Sequence, residues 1–176
     1  MATLAPLAHE TTPLTPLLLA DLTHRAKCVA RNAHAPYSNF RVGAALLLVP
    51  DAAANILAGT IVTGCNVENA SFRLTTCAEQ SAIAAAVSLY GPTVRLQAVV
   101  VVTLNEVACA PCGACRQTLR EFSTPATRIF FPDNADTVAE VSIAELLPHA
   151  FLAEAFLPPA TPTAPPTNAP TDAPNE

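Results

Sequence analysis

The apolar positions of this chain change period along its length, and each change marks an element. From Ala78 to Tyr90 the residues Ala82, Ile83, Ala86, Val87 and Tyr90 recur at three- and four-residue steps, the spacing of one helix face. Gly91-Pro92 then supplies a helix stop. "LQAVVVVTL" (Leu96 to Leu104) is apolar on both alternating faces, as in a strand covered by helices on each side. "VGAALLLV" (Val42 to Val49) and "ILAGTIVTG" (Ile56 to Gly64) read as two strands around an Asp/Ala/Asn loop, and "RIFFP" (Arg128 to Pro132) as a further strand. Thr15-Pro16 opens a helix, with a hydroxyl N-cap and then Pro in the first turn. That helix is expected to run to about Ala33 and to stop before Pro36, where "PYSNF" forms a turn. Cys112 to Phe122 is a second short helix, and Ser142-x-x-Glu145 matches a capping box. No internal repeat is visible, and strands alternating with helices point to an α/β layered domain.

The two ends depart from this pattern. Met1 to Leu14 is rich in Ala, Thr, Pro and Leu and is expected to be poorly ordered. From Pro158 onward the chain is almost entirely Pro, Thr, Ala and Asn, which cannot bury enough surface to order itself. The expected organisation is one domain over 15–157 between an N-terminal segment, 1–14, and a disordered tail, 158–176.

Composition narrows the function. The longest apolar runs are far shorter than the roughly 18–20 residues of a membrane span, and no basic region precedes an apolar stretch at the N-terminus. No membrane association and a cytoplasmic protein are expected. The formal net charge is −5, with Asp172 and Glu176 in the tail. There is no basic stripe to neutralise phosphates, which disfavours a long nucleic acid as partner.

The six cysteines are Cys28, Cys65, Cys77, Cys109, Cys112 and Cys115. In an intracellular chain such clustering speaks for metal or catalysis rather than disulfides. Cys112 and Cys115 have C-x-x-C spacing, which puts both sulfurs on one face of a helical turn. Cys77 sits just before the Ala78 helix, so two helix N-termini can favour thiolate charge at one ion. Three sulfurs suit Zn²⁺, with the fourth position left for water; closure by Cys109 into a structural four-cysteine site is the alternative. Glu79, two positions after a ligand, can approach that water without binding the metal. Cys77-Ala78-Glu79 followed by Pro111-Cys112-Gly113-Ala114-Cys115 matches each element of the zinc deaminase signature in its three-cysteine form.

Around this signature the chain resembles the cytidine deaminase family in its small-subunit, homotetrameric branch. The resemblance runs through "APYSNFRVGAALL" (Ala35 to Leu47), "GCNVENASF" (Gly64 to Phe72), "TCAEQSAIAAAVS" (Thr76 to Ser88), "APCGACRQTLREF" (Ala110 to Phe122) and "ELLPHAF" (Glu145 to Phe151). It implies a mixed five-stranded sheet sandwiched between helices, one Zn²⁺ per chain, and hydrolysis of cytidine and deoxycytidine to uridine and deoxyuridine with release of ammonia. It further implies that Asn66 and Glu68 hold the sugar hydroxyls and that Phe40 stacks on the pyrimidine. Phe151 and the backbone at Ala70 would face a neighbouring subunit's site in a homotetramer. Where the family has arginine after the glutamate this chain has Gln80, and Arg116 or Arg73 could supply the missing charge. Deamination of a nucleoside analogue, as in the related blasticidin deaminases, and a zinc-stabilised fold without activity are the competing readings. "NVENASF" speaks against the first and Glu79 against the second. The remaining cysteines, Cys28 and Cys65, read as core thiols, and His9, His24, His34 and His149 have no partner at ligand spacing.

Overall fold

The computed structural model describes residues 12–134, 137–152 and 156. Most of the 1–14 segment and the whole of the 158–176 tail lie outside these residues. Helix α1 (Pro16–Ala30) begins as its sequence predicts: the Thr15 side chain accepts from the Leu18 N–H at 3.2 Å, with proline in the first turn. The strands β1 (Val42–Leu48) and β2 (Ile61–Cys65) follow, then helix α2 (Ala78–Tyr90) and strand β3 (Leu96–Thr103). Helix α3 (Gly113–Phe122), strands β4 (Ser123–Pro132) and β5 (Val138–Ser142), and a single turn α4 (Ile143–Leu146) complete the order.

The strands form one mixed sheet in the order β2-β1-β3-β4-β5. Among the strands of the described residues only β3 and β4 pair in parallel, and such a pair needs a crossover, which α3 supplies. Side chains of successive strand residues alternate between faces, so one sheet faces two cores. Leu46, Leu48, Val99, Val101, Ile129 and Phe131 pack with α2 and Leu119 of α3. Ala45, Leu47, Ala98, Val100, Val102 and Phe130 pack with Leu22 and Ala26 of α1. The layering is α/β/α, and each fully buried leucine in it contributes roughly 1.5–3 kcal/mol. At Gly64 the α2 backbone comes so close that an added Cβ would lie 2.3 Å from the Ala82 nitrogen.

Helix α2 and its Gly91 stop (φ 84°) match expectation, and β1, β3 and α3 match to within a residue. Other boundaries differ. Helix α1 ends at Ala30 rather than Ala33, because the Arg31, Asn32 and Ala33 N–H groups turn back to the carbonyls of Cys28, Val29 and Ala30. Strand β2 starts at Ile61 rather than Ile56. Asp51 and Ile56 exchange backbone hydrogen bonds at 3.0 and 2.8 Å in a small bridge, and Gly59 turns the chain at φ 80°. Strand β4 begins five residues before "RIFFP", directly after α3; β5 is the fifth strand that the resemblance implies, although the residue pattern does not locate it. The capping box forms as read: Ser142 N–H and O–H both meet Glu145 Oε2 at 2.7 Å. At the N-terminal end, Thr12 is paired with Gln97 through its backbone, and Leu14 packs against the α1 core.

Candidate active site

Helices α2 and α3 present their N-termini to the same space, and each is N-capped by a cysteine, Cys77 and Cys112. Cys115, one turn into α3, is fully buried behind them. The three sulfurs lie within 4.8 Å of one another, with Cys77 and Cys112 Sγ 3.9 Å apart. Tetrahedral zinc with Zn–S bonds of about 2.3 Å places its sulfurs about 3.8 Å apart, so the donor set fits that ion. Cys109 is not in the cluster. It lines the neighbouring cavity as a neutral thiol, which burial pushes up to about 11. Hydrogen bonding between the Cys115 thiol and Cys77 lowers Cys77 to about 7 and raises Cys115. Loading a metal onto the three sulfurs releases the protons that the thiols hold.

Glu79 is 4% exposed and is the sole charged residue among the described residues that is buried. Helix α2 places it in the first turn after the Cys77 cap, and burial holds its carboxyl above the ordinary carboxylate range. Such a group accepts and returns protons near neutral pH more readily than an exposed glutamate.

The cavity beside the cluster has a volume of about 300 Å³, and Phe40, Asn66, Glu68, Cys77, Glu79 and Cys112 all line it. Backbone pairing explains how 66 and 68 come to face it. Val67 exchanges two 2.9 Å hydrogen bonds with Thr76, and on its other edge His34 N–H donates to Asn66 O (3.1 Å) while Glu68 N–H donates to His34 O (2.8 Å). In this extended stretch Asn66 and Glu68 share one side and Val67 takes the other. The Asn66 amide accepts from Val42 N–H (2.8 Å) and donates to Phe40 O (2.9 Å), which locks the Phe40 segment against β2. Glu68 accepts from the Tyr37 and Ser38 N–H groups and from the Ser38 hydroxyl, and these bonds hold its carboxyl below the usual range.

Ala70 and Phe151 do not line this cavity. Phe151 is 61% exposed, with its backbone clamped at both polar groups by the Gln117 amide (2.8 and 3.2 Å). Arg116 does not face the sulfurs: its guanidinium donates to the Pro111 and Leu146 carbonyls at 2.8 and 3.1 Å. Gln80 completes a capping box, its side-chain oxygen accepting from the Cys77 N–H at 3.4 Å. Ser38, like Thr75, is a polar cavity residue that sequence reasoning missed. A serine two positions before Phe40 is a turn signal, and its hydroxyl does accept from Phe40 N–H at 3.0 Å.

Residues 19–131 match the family model described as the cytidine and deoxycytidylate deaminase zinc-binding region. The chain belongs to this family. It is 41% identical over 122 residues to a cytidine deaminase of Halalkalibacterium halodurans, covering 69% of this chain and 85% of that protein. With a cytidine deaminase of Sporosarcina psychrophila it shares 39% identity over 134 residues, 76% of this chain and 90% of that one. The crystal structure of cytidine deaminase from Burkholderia pseudomallei superposes with a TM-score of 0.63 at 38% identity, covering 75% of this chain and 98% of that chain. The Mycobacterium tuberculosis enzyme gives 0.62 at 38% identity, over 76% and 96%. Family and donor set agree on a zinc-dependent hydrolytic deaminase that holds one zinc ion per chain on Cys77, Cys112 and Cys115.

Proposed function

We propose that this deaminase acts on free cytidine and deoxycytidine, yielding uridine and deoxyuridine with release of ammonia. The observation that carries the reading is the buried Glu79 in a cavity shared by the cysteine cluster, Phe40, Asn66 and Glu68. The cavity size suits a single nucleoside, and its acidic sugar end disfavours a phosphate. Phe40 offers a ring for the pyrimidine to stack on, and Glu68 an acceptor for a sugar hydroxyl. When bound, the zinc supplies a water acidic enough to serve as nucleophile near neutral pH. Glu79 takes one proton from this water and delivers it to ring N3, then takes the second proton from the hydroxyl formed at C4 and delivers it to the departing amine. Water adds at C4, the C4–N4 bond breaks, and the C4 carbonyl of the uracil forms.

The finer reading is a cytoplasmic homotetramer in pyrimidine salvage whose sites are shared between subunits. Phe151 stands exposed on a clamped backbone, as a residue reaching toward a neighbour would. Tyr37, Val67, Phe72 and Leu74 form an exposed apolar rim near Glu68 that a second subunit would cover. No helix among the described residues is long and apolar enough to cross a membrane. Incubating the zinc-loaded protein with cytidine should produce uridine and ammonia in equal amounts, and light scattering should give four chains per particle. Intact cytidine would refute the activity, and an active monomer would refute the shared site.

A further inference from the structure

Glu68 is nearly saturated before any ligand arrives. Its Oε2 accepts two backbone N–H groups, from Tyr37 at 2.9 Å and Ser38 at 3.3 Å. Its Oε1 accepts the Ser38 hydroxyl. A carboxylate offers about four lone-pair positions, so a single acceptor remains, on Oε1. The same Ser38 oxygen accepts from the Phe40 N–H at 3.0 Å. One hydroxyl therefore ties the carboxylate to the backbone of the ring that lines the same cavity.

We propose that Ser38 is a positioning residue for nucleoside recognition: it turns Glu68 so that its one free acceptor faces a sugar hydroxyl, and it sets the distance from that acceptor to Phe40. This rests on the reading of Glu68 as a sugar contact. The alternative for such a serine is a turn cap that stabilises "PYSNF" and nothing more. Two features separate the roles. A turn cap needs only the bond from Phe40 N–H, whereas the Ser38 hydrogen is aimed at a side chain thirty positions away. That bond is also the largest cause of the lowered Glu68 pKa, so Ser38 favours the ionised acceptor. His34, whose positive form would act in the same direction, is the other titratable group that bears on Glu68.

Removing the hydroxyl leaves Oε1 with two open positions and a carboxylate free to rotate about its remaining backbone bonds. The test measures inhibition of cytidine turnover by uridine and by 2′,3′-dideoxyuridine, which lacks both sugar hydroxyls, for the wild type, Ser38→Ala and Ser38→Thr. A hydrogen bond to a charged group, discounted for exposure to solvent, corresponds to about a tenfold effect. Ser38→Ala should weaken uridine inhibition by that factor and leave 2′,3′-dideoxyuridine unchanged, with the loss falling on KM for cytidine more than on kcat. Ser38→Thr, which keeps the hydroxyl, should restore uridine inhibition. Equal weakening of both inhibitors would reduce Ser38 to a turn cap and overturn the proposal. If Glu68→Gln weakens uridine and Ser38→Ala does not, the sugar reading of Glu68 stands and the Ser38 role fails alone. A wild-type protein that leaves cytidine intact overturns both.

Discussion

A methyl group on Gly64 should damage stability and turnover together. The added Cβ would stand 2.3 Å from Ala82 N, 2.7 Å from Ala78 O and 2.8 Å from Ala82 Cα. All three atoms belong to the α2 backbone, so no side-chain rotation relieves the clash. Ordinary contact begins near 3.4 Å, and the helix must therefore retreat from β2 by about 1 Å. Overpacking of this kind costs about 1–3 kcal/mol, which for a domain of this size lowers Tm by about 3–10 °C. The retreat carries the N-terminus of α2 with it, and that end holds Cys77 and Glu79. A displacement of about 1 Å at a reacting centre costs about 10²-fold in rate. Thermal unfolding of zinc-loaded Gly64→Ala, followed by circular dichroism, checks the first figure, and cytidine turnover at saturating substrate checks the second. Gly113→Ala is the control: nothing lies within 4 Å of its Cβ, so Tm should hold or rise. Gly64→Ala that melts with the wild type at full turnover would refute the claim that α2 rests on β2 through this glycine.

Three further outcomes follow from the site. Glu79→Gln keeps the buried shape and zinc content but cannot carry protons, so kcat should fall by at least the roughly 10²–10⁴-fold of general acid–base catalysis; near-normal turnover would move the proton relay to another group. Zinc titration of the stripped protein should release protons, because Cys115 holds its thiol proton in the metal-free cluster; uptake should weaken as pH falls below about 7, where Cys77 also protonates, and metal analysis should give one zinc per chain with Cys109→Ser unaffected. Phe151→Ala should raise KM for cytidine without loss of zinc, and an unchanged KM would count against a ring shared between subunits.

The cluster was legible in the sequence because its geometry is local. C-x-E and C-x-x-C spacings at two helix starts determine which side chains share a face, and the only long-range requirement is that the two helices meet. The α2 boundaries were legible for a similar reason, since a regular apolar period ends at Gly91. Strand β5 was not, because Val138 and Glu140 are exposed and the strand covers just one edge of β4; five residues with little burial leave no alternation to read. The stretch from Ile56 to Thr60 carries a β-rich composition, yet Gly59 at positive φ turns it, and Ile56 is buried under a tight bridge instead. Ser38 was hidden because a turn serine has a sufficient local explanation, and its second partner lies thirty residues on. Arg116 was read as a possible neighbour of the metal from adjacency alone. On a helix the next residue points about 100° away, and here it ties α3 to α4.

The place of Gln80 follows from the same helix geometry. Three thiolates on Zn²⁺ carry a net charge of −1, and a residue after Glu79 with a positive charge would offset it. Arg116 directs its Nε–H and an Nη1–H to the Pro111 and Leu146 carbonyls, so these hydrogen bonds go to backbone rather than to the sulfurs. The two helix N-termini are a further source. Each carries roughly half a positive charge, and two aimed at one cluster bring about one unit. The arrangement is then self-consistent only if α2 keeps its first turn intact up to Cys77. Gln80 serves that need: its amide oxygen receives the Cys77 N–H, one of the donors that a helix start leaves without a partner. An arginine could place a charge near the sulfurs but has no acceptor to offer this N–H. The glutamine thus exchanges a point charge for a closed cap. Field from the backbone of two helix starts is a contribution this site keeps for holding three thiolates together.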